Sequence, residues 1–90
     1  PLPKYKNKVP ITLQRIAERV CDYYEISQND FFSKRRSTVY VHARRDYCHL
    51  ATRHTKNSKY LIGLGFGKDH ATVLHHLKEK PINADRIIVE

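Results

Sequence analysis

The sequence predicts an all-α domain of small size. Its 90 residues, 40% of them hydrophobic, can bury one modest core and leave no material for a second. In the longer segments, apolar residues recur at spacings of three and four, which is the period of one buried helix face. Proline and glycine separate these segments and mark where helices begin and end.

The N-terminal third contains an arm and two helices. Residues 1–10 are rich in Pro and Lys and have no apolar period, so a flexible basic linker or arm is predicted there. The first helix begins at Thr12. Its buried face consists of Leu13, Ile16, Ala17, Val20, Cys21 and Tyr24. Ser27 with Asp30 resembles a capping box that opens a short helix through Phe32.

The third helix is predicted from about Thr38 to about His54. Its inward side chains are Tyr40, Ala43, Tyr47, Leu50 and Ala51. Asn57 or Ser58 caps a fourth helix, which ends at Gly65. The apolar residues of this helix are Tyr60, Leu61, Ile62 and Leu64.

A tight turn leads into the fifth helix. Gly65 and Gly67 can adopt the positive φ that a turn between two helices demands. Asp69 suits the N-cap position of a helix over residues 70–80, because its carboxylate accepts a backbone N–H and favours the positive end of the helix dipole. Pro81 stops this helix.

The fifth helix has two chemically different faces. One is apolar and consists of Val73, Leu74 and Leu77; the other carries Ala71, His75 and Lys78. Residues 58–66 and 69–80 together therefore predict a helix-turn-helix, with the first as positioning helix and the second as reading helix.

The sequence thus divides into three parts. Residues 1–10 form the arm and residues 11–80 the domain. Residues 81–90 form a tail, in which the segment from residue 83 either starts another helix or forms a short strand. The pattern leaves both alternatives open.

Positive charge is concentrated in the middle of the sequence. The net charge is +8, and residues 33–68 hold nine Lys or Arg residues against one acid, Asp46, so the rest of the chain is neutral. Such a cluster is typical of a polyanion-binding surface, because neutralised phosphates release counterions. A solvated basic face kept for solubility is the alternative. An anionic membrane is disfavoured, since no helix combines a basic face with a large exposed aromatic or Leu-rich face.

Two blocks of sequence resemble those of a known family. One is the run G-K-D-H-A-T-V-L-H at residues 67–75, and the other is S-K-R-R-S at residues 33–37. With this spacing, residues 11–80 resemble the C-terminal, DNA-binding domain (domain IV) of the bacterial replication initiator DnaA. The resemblance implies a Trp-repressor-like fold with an embedded helix-turn-helix that binds double-stranded DNA. It also implies a role in DNA replication, in DnaA-box-like origin recognition, or in regulation by a phage or mobile element.

The resemblance further implies the DNA contacts. Arg36 matches the loop arginine that enters the minor groove, where negative potential favours a weakly hydrated, fork-shaped guanidinium. Arg44 matches a family arginine that contacts the DNA backbone, and residues 68–72 match the major-groove motif. The candidate contacts are Lys34, Arg35, Arg36, Arg44, Arg45, Thr55, Ser58, Lys59, Tyr60, Lys68, Asp69, His70, Ala71 and Thr72.

The sequence also departs from the family pattern G-G-R-D-H-T-T. One glycine is missing, Lys68 replaces the arginine and Ala71 replaces the first threonine. Because lysine cannot form the bidentate contact that arginine makes with guanine, a changed base preference is expected. The fold and the use of the two grooves are expected to be the same as in the family. Tyr60 replaces a proline and His42 a loop arginine. Two alternatives stay open: the basic loop touches phosphates alone, and His70 packs in the core.

No pattern for chemistry or cofactors accompanies these motifs. The six histidines and Cys48 have neither Cys-x-x-Cys nor i, i+4 His spacing, so no metal site is expected. No Walker loop for a nucleotide and no nucleophile with a local base are found, so an enzyme is not expected. Cys21 and Cys48 are expected to be reduced, semi-buried packing residues.

The predicted function is therefore DNA binding. No apolar run approaches the roughly 18 residues of a membrane span and no signal core is found, so a cytoplasmic, nucleoid-associated protein is expected. The alternative is a protein–protein module that kept the fold and lost specific DNA reading, for instance one that engages replication proteins. The substitutions at Tyr60, Lys68 and Ala71 keep that alternative open. The sequence does not separate a piece of a larger initiator from a stand-alone relative.

Overall fold

A computed structural model describes residues 11–33, 37–56, 59–64 and 70–87, without the side chains of Tyr60, Leu64 and His70. These ranges contain five α-helices, one 3₁₀ turn and no strand, which confirms the all-α prediction. The elements are α1 (Ile11–Tyr24), α2 (Gln28–Phe31), α3 (Thr38–His54), α4 (Lys59–Leu64), α5 (His70–Lys78) and the 3₁₀ turn Ala84–Arg86. The predicted arm, the caps of α4 and α5, and the glycine turn lie outside the described residues.

The core lies around α3, against which α1 and α5 both pack, while α4 packs against α5. The predicted inward face of α1 is confirmed as buried from Leu13 to Cys21, and Tyr24 is half-buried. On α3, the predicted inward residues are buried except Tyr40, which is half-buried. Burial of these apolar faces against one another is the main driving force for this arrangement.

The end of α1 has a Schellman-type geometry. The N–H of Ile26 donates to the carbonyl of Cys21 at 3.0 Å, and the N–H of Glu25 donates to that of Asp22 at 3.3 Å. Glu25 itself has a φ of 56°, in the left-handed region that glycine usually occupies at this position. The turn redirects the chain into α2 at the cost of a strained non-glycine residue.

Ser27 caps α2, which is one half of the predicted capping box. The Ser27 hydroxyl accepts the N–H of Asp30 at 3.1 Å. Phe31 and Phe32 follow and are buried, and the Phe31 ring packs edge-on against Tyr47 with centroids 5.3 Å apart. The two phenylalanines thus fix the chain to the core immediately before the basic loop.

The inward stripe predicted for α5 is wrong at Leu74. Leu74 is 38% exposed, whereas His76 is only 8% exposed. Val73, His76 and the half-buried Leu77 are spaced i, i+3, i+4 and so share the face that packs on the core. The helix also ends at Lys78, two residues earlier than expected.

Both cysteines are buried more deeply than expected. Cys21 and Cys48 are free and fully enclosed. Burial, which removes water from the thiolate, raises the pKa of each thiol to about 12, with nearby Asp22 and Glu18 adding to the effect at Cys21. Both side chains are therefore neutral packing groups at physiological pH.

The segment after Pro81, expected as a tail, packs against the body of the domain as far as Ile87. Ala84 and Ile87 are buried, and the open choice between helix and strand is resolved as a 3₁₀ turn. The anchor is Asp46 of α3, which is fully buried. Its carboxylate accepts the N–H of Ile82 at 2.7 Å and that of Asn83 at 3.0 Å.

Tyr24 of α1 completes the same network. Its hydroxyl donates to the Asp46 carboxylate and accepts a hydrogen bond from the Asn83 amide at 3.1 Å. Burial and this bond to the carboxylate both raise the pKa of the Tyr24 hydroxyl. A single carboxylate therefore joins α1, α3 and the C-terminal segment. At the surface, Arg53 of α3 adds an ion pair to Asp85 at 2.7 Å.

Candidate nucleic-acid interface

Hydrogen bonds hold the residues on both sides of the basic loop. Ser33 is the last described residue before the loop, and its hydroxyl donates to the carbonyl of Asp30 at 2.6 Å. Ser37, on the far side of the loop, precedes α3 and its carbonyl accepts the N–H groups of Tyr40 and Val41. The loop residues Lys34, Arg35 and Arg36 lie outside the described residues.

Arg44 reaches from α3 to this boundary. Its Nε donates to the carbonyl of Phe31 at 2.9 Å, and its Nη2 donates to the carbonyl of Ser33 at 2.8 Å and, more weakly, to that of Asp30 at 3.4 Å. The residue is 7% exposed. The guanidinium thus donates to carbonyls at the end of α2 and just after it.

Tyr40 completes the environment of Arg44. The guanidinium carbon lies 6.0 Å from the centroid of the Tyr40 ring, at the outer limit of a cation–π contact. The Tyr40 hydroxyl lies 3.5 Å from a carboxylate oxygen of Asp30, which belongs to the same turn of α2. Arg44 is therefore buried among contacts within the protein. Its predicted contact with the DNA backbone stays a prediction.

The helix-turn-helix elements present the division of faces that a reading helix needs. Ile62 of α4 and Val73 of α5 are buried, so both helices are fixed to the core. Ala71, His75 and Lys78 are exposed, as predicted, and Thr72 is half-buried. One face of α5 is therefore free to meet a ligand while the other holds the helix in place.

Three further candidate residues occupy different environments. Lys59, at the start of α4, is exposed and can meet phosphate. Thr55 caps the end of α3 and donates its hydroxyl to the carbonyl of Ala51 at 2.6 Å. Arg45 is half-buried, and its Nε has no hydrogen-bond partner among the described residues. Ser58, Lys68 and Asp69, with the side chains of Tyr60 and His70, lie outside the described part.

Sequence reasoning missed two residues that shape this region. Burial lowers the pKa of His76 to about 4, and the positive charges of Arg45 and the neighbouring His75 act in the same direction. His76 is therefore neutral at physiological pH and packs like a core residue. The other is Asp46, whose position three residues after Ala43 on the inward stripe of α3 was a usable signal.

Among the described residues we find neither a metal-binding cluster nor a membrane-spanning helix. No group of three or more His, Cys, Asp or Glu side chains there is placed to hold a metal ion. None of the described helices combines the length and the apolar character that a membrane crossing requires.

Comparison with known proteins identifies the family. The family model described as "Bacterial dnaA protein helix-turn-helix" matches residues 13–79. The chain belongs to this family. Membership in the DnaA helix-turn-helix family implies DNA binding, and the match extends from the first turn of α1 to one residue past the end of α5.

Several curated relatives are named chromosomal replication initiator protein DnaA. The one from Thermoanaerobacter sp. (strain X514) is 43% identical over 65 residues, which are 72% of this chain and 15% of the relative. The one from Zymomonas mobilis is 37% identical over 70 residues, 77% of this chain and 14% of the relative. The one from Jannaschia sp. (strain CCS1) is 35% identical over 83 residues, 89% of this chain and 18% of the relative. The chain thus spans less than a fifth of each of these DnaA relatives, and no solved structure matches it.

Proposed function

We propose that this chain binds double-stranded DNA, with the helix-turn-helix in the major groove and the basic loop at residues 33–37 against the minor groove. The observation that carries the proposal is that α5, the second helix of a DnaA-type helix-turn-helix, has one buried face and one exposed face. Val73 and His76 are buried, whereas Ala71 and His75 are exposed. A major groove about 12 Å wide accepts one helix that presents such an exposed face.

Residues 68–72 supply the base contacts in this proposal. Ala71 is exposed in the first turn of α5, where its methyl group can contact a thymine methyl. Lys68 and Asp69 precede that turn. The ammonium group of Lys68 is a single point charge, in place of the planar guanidinium with which an arginine makes bidentate contacts. The preferred base sequence therefore differs from that of relatives with arginine and threonine in these places.

The basic loop supplies the minor-groove contact. Lys34, Arg35 and Arg36 are consecutive cations between two fixed points of the fold, Ser33 and the start of α3. A narrow minor groove concentrates negative potential and attracts arginine. Arg36 is proposed as the inserted side chain, with Lys34 and Arg35 on the flanking phosphates.

Phosphate contacts from other elements position the domain. Lys59, Arg45 and Thr55, at the end of α3, are the described candidates. Ser58 and Tyr60 are further candidates whose side chains lie outside the described part. Arg44, the predicted backbone contact, and Arg53 also make contacts within the protein, to carbonyl groups and to Asp85 respectively. The other seven of the nine Lys or Arg residues between positions 33 and 68 are further candidates for contacts with DNA.

The target in this proposal is a site of the replication-origin type. The relatives named above are chromosomal replication initiators, and this chain matches only a small part of each. It acts either as a piece of such an initiator or as a stand-alone regulator that uses the same domain on related sites.

A salt titration tests DNA binding. With about five phosphates neutralised, the slope of log K against log salt for a random-sequence duplex should be about −5. Selection of duplexes from a random pool should then yield a preferred sequence. A slope near zero contradicts DNA binding. A steep slope with no preferred sequence contradicts base reading and favours the protein–protein module.

A further inference from the structure

We propose that His49 is a positioning residue for DNA reading, because it holds the C-terminal end of the reading helix α5 on α3. The inference rests on the proposed function, since it concerns how α5 is presented to the major groove. It gives a role to a histidine that is not among the predicted DNA contacts.

The end of α5 is held by a hydrogen bond from α3. The Nε2 of His49 lies 2.7 Å from the carbonyl oxygen of Glu79, which follows Lys78, the last residue of α5. Since a carbonyl can only accept a hydrogen bond, the ring carries a hydrogen on Nε2 and donates it. Carbonyls at the C-terminal end of a helix need such donors from outside the helix.

His49 belongs to a polar stripe of α3 that also contains Asp46 and Arg53. These three residues are spaced i, i+3 and i+7, so they share one face of the helix. Asp46 accepts two backbone N–H groups of the segment after Pro81, and Arg53 pairs with Asp85. The chain that follows α5 is thus bound to α3 at three successive points, of which the His49 contact lies nearest to the reading helix.

The position of this bond makes it effective against tilting of α5. Burial of Val73 and His76 fixes α5 within the helix, whereas Glu79 lies beyond its last residue. At about 1.5 Å per residue, Glu79 lies about 9 Å along the helix from Val73, so a contact there has a long lever arm. Base contacts require the reading element to be held within about 0.5 Å and 10–20° of its productive geometry. Loss of the bond therefore weakens base reading more than phosphate binding, which depends on charge.

His49→Phe tests the inference, since it keeps an aromatic ring and removes the N–H donor. Affinity for the duplex selected from a random pool should fall about five-fold, because α5 must then be ordered as it binds. Affinity for a random-sequence duplex should stay within about two-fold of wild type, with the same salt slope, because no Lys or Arg is removed. His49→Gln keeps an N–H that can donate to the Glu79 carbonyl, so its affinity for the selected duplex should lie within about two-fold of wild type.

His54→Phe is the matched control, because it makes the same change on the same helix at an exposed residue outside the polar stripe. It should leave both affinities unchanged. Ile16→Val removes one methylene from the buried face of α1, lowers stability and should also leave the site preference unchanged. If Ile16→Val loses as much preference as His49→Phe, reduced stability explains the effect and the positioning role is wrong.

A second measurement reports on the bond itself. In NMR spectra, the carbonyl carbon signal of Glu79 should move upfield in His49→Phe and stay near its wild-type position in His49→Gln. An unmoved signal in His49→Phe, or an equal loss of preference in His49→Gln and His49→Phe, would overturn the inference. A wild-type preference in His49→Phe would overturn it too and leave the proposed function standing. If the wild-type protein itself prefers no sequence, base reading fails, and the positioning role fails with it.

Discussion

At the scale of single residues, exposure on α5 separates positions that fold the domain from positions available to DNA. Ala71 lies in the first turn and is exposed, whereas His76, five residues later, is buried. A substitution at Ala71 can change DNA recognition with little effect on stability, whereas a substitution at His76 mainly changes stability.

Ala71→Thr is expected to change the preferred DNA sequence while stability stays nearly constant. The added hydroxyl provides a donor and an acceptor for base edges, and an exposed site in the first helical turn contributes within about 0.5 kcal/mol to stability. Selection from a random pool measures the preference and a thermal melt the stability. An unchanged selected sequence would place Ala71 away from the bases. His75→Thr, on the same exposed face but beyond the first turn, is the control.

His76 is expected to make stability depend on acid pH. Because burial and the nearby Arg45 lower its pKa from 6.5 to about 4, the folded state favours the neutral ring. The free energy of unfolding is therefore highest above pH 6.5, where the ring is neutral in both the folded and the unfolded state. It falls by about 2–3 kcal/mol in total as the pH drops from 6.5 towards 4, because the unfolded state then binds a proton that the folded state does not. Urea unfolding over this pH range should show a steeper loss for wild type than for His76→Gln.

The exposed His75 supplies the control for that experiment. His75→Gln removes a neighbouring imidazole but leaves His76 buried, so its stability profile should follow that of wild type. Parallel profiles for wild type and His76→Gln would show that burial of His76 does not disfavour its charged form.

At the scale of elements, the link between α1 and α2 contains the clearest local strain. Glu25 occupies the left-handed region with a φ of 56°, in a turn closed by the bond from Ile26 to Cys21. A residue with a Cβ atom is disfavoured there by roughly 1–2 kcal/mol, and glycine is not.

Glu25→Gly is therefore expected to stabilise the domain. The gain should be about 0.5–1 kcal/mol, because relief of strain exceeds the added entropy of the unfolded chain. This corresponds to a rise in Tm of a few degrees, at about 4–8 °C per kcal/mol for a domain of this size. Glu25→Ala removes the same charge but keeps a Cβ atom and should give no such gain. A loss of stability in Glu25→Gly would show that the strain is not released.

At the scale of the whole molecule, Asp46 joins parts of the chain that are distant in sequence. It accepts hydrogen bonds from Tyr24 and from the N–H groups of Ile82 and Asn83, so it ties α1 and the C-terminal segment to α3. The segment also buries Ala84 and Ile87.

Asp46→Leu is expected to release the C-terminal segment. Without the carboxylate, two backbone N–H groups and the Tyr24 hydroxyl lose their acceptor, at a cost of about 2–4 kcal/mol. Hydrogen exchange at Ile82 and Asn83 should become faster, and Tm should fall. Tyr24→Phe removes one donor and should cost about 1 kcal/mol with both amides still protected. Unchanged exchange at these amides in Asp46→Leu would show that the segment docks without Asp46.

The sequence by itself determined the helical architecture, because the period of apolar residues and the capping pattern at Ser27 are local signals. It predicted the bounds of α3 and the buried face of α1, and the two blocks at residues 33–37 and 67–75 indicated the family to which the chain belongs. Such signals arise from neighbours three or four residues apart, so they are legible without a tertiary structure.

The tertiary structure alone decided which charged and polar residues are buried. His76 replaces Leu74 on the inward face of α5, Arg44 holds the carbonyls before the basic loop, and Asp46 draws the segment after Pro81 onto the core. Each choice depends on a partner from 11 to 37 residues away or on a neighbouring helix. A buried charged or polar side chain is tolerated only where such a partner or a lost charge compensates it, and periodicity along the chain does not reveal that partner.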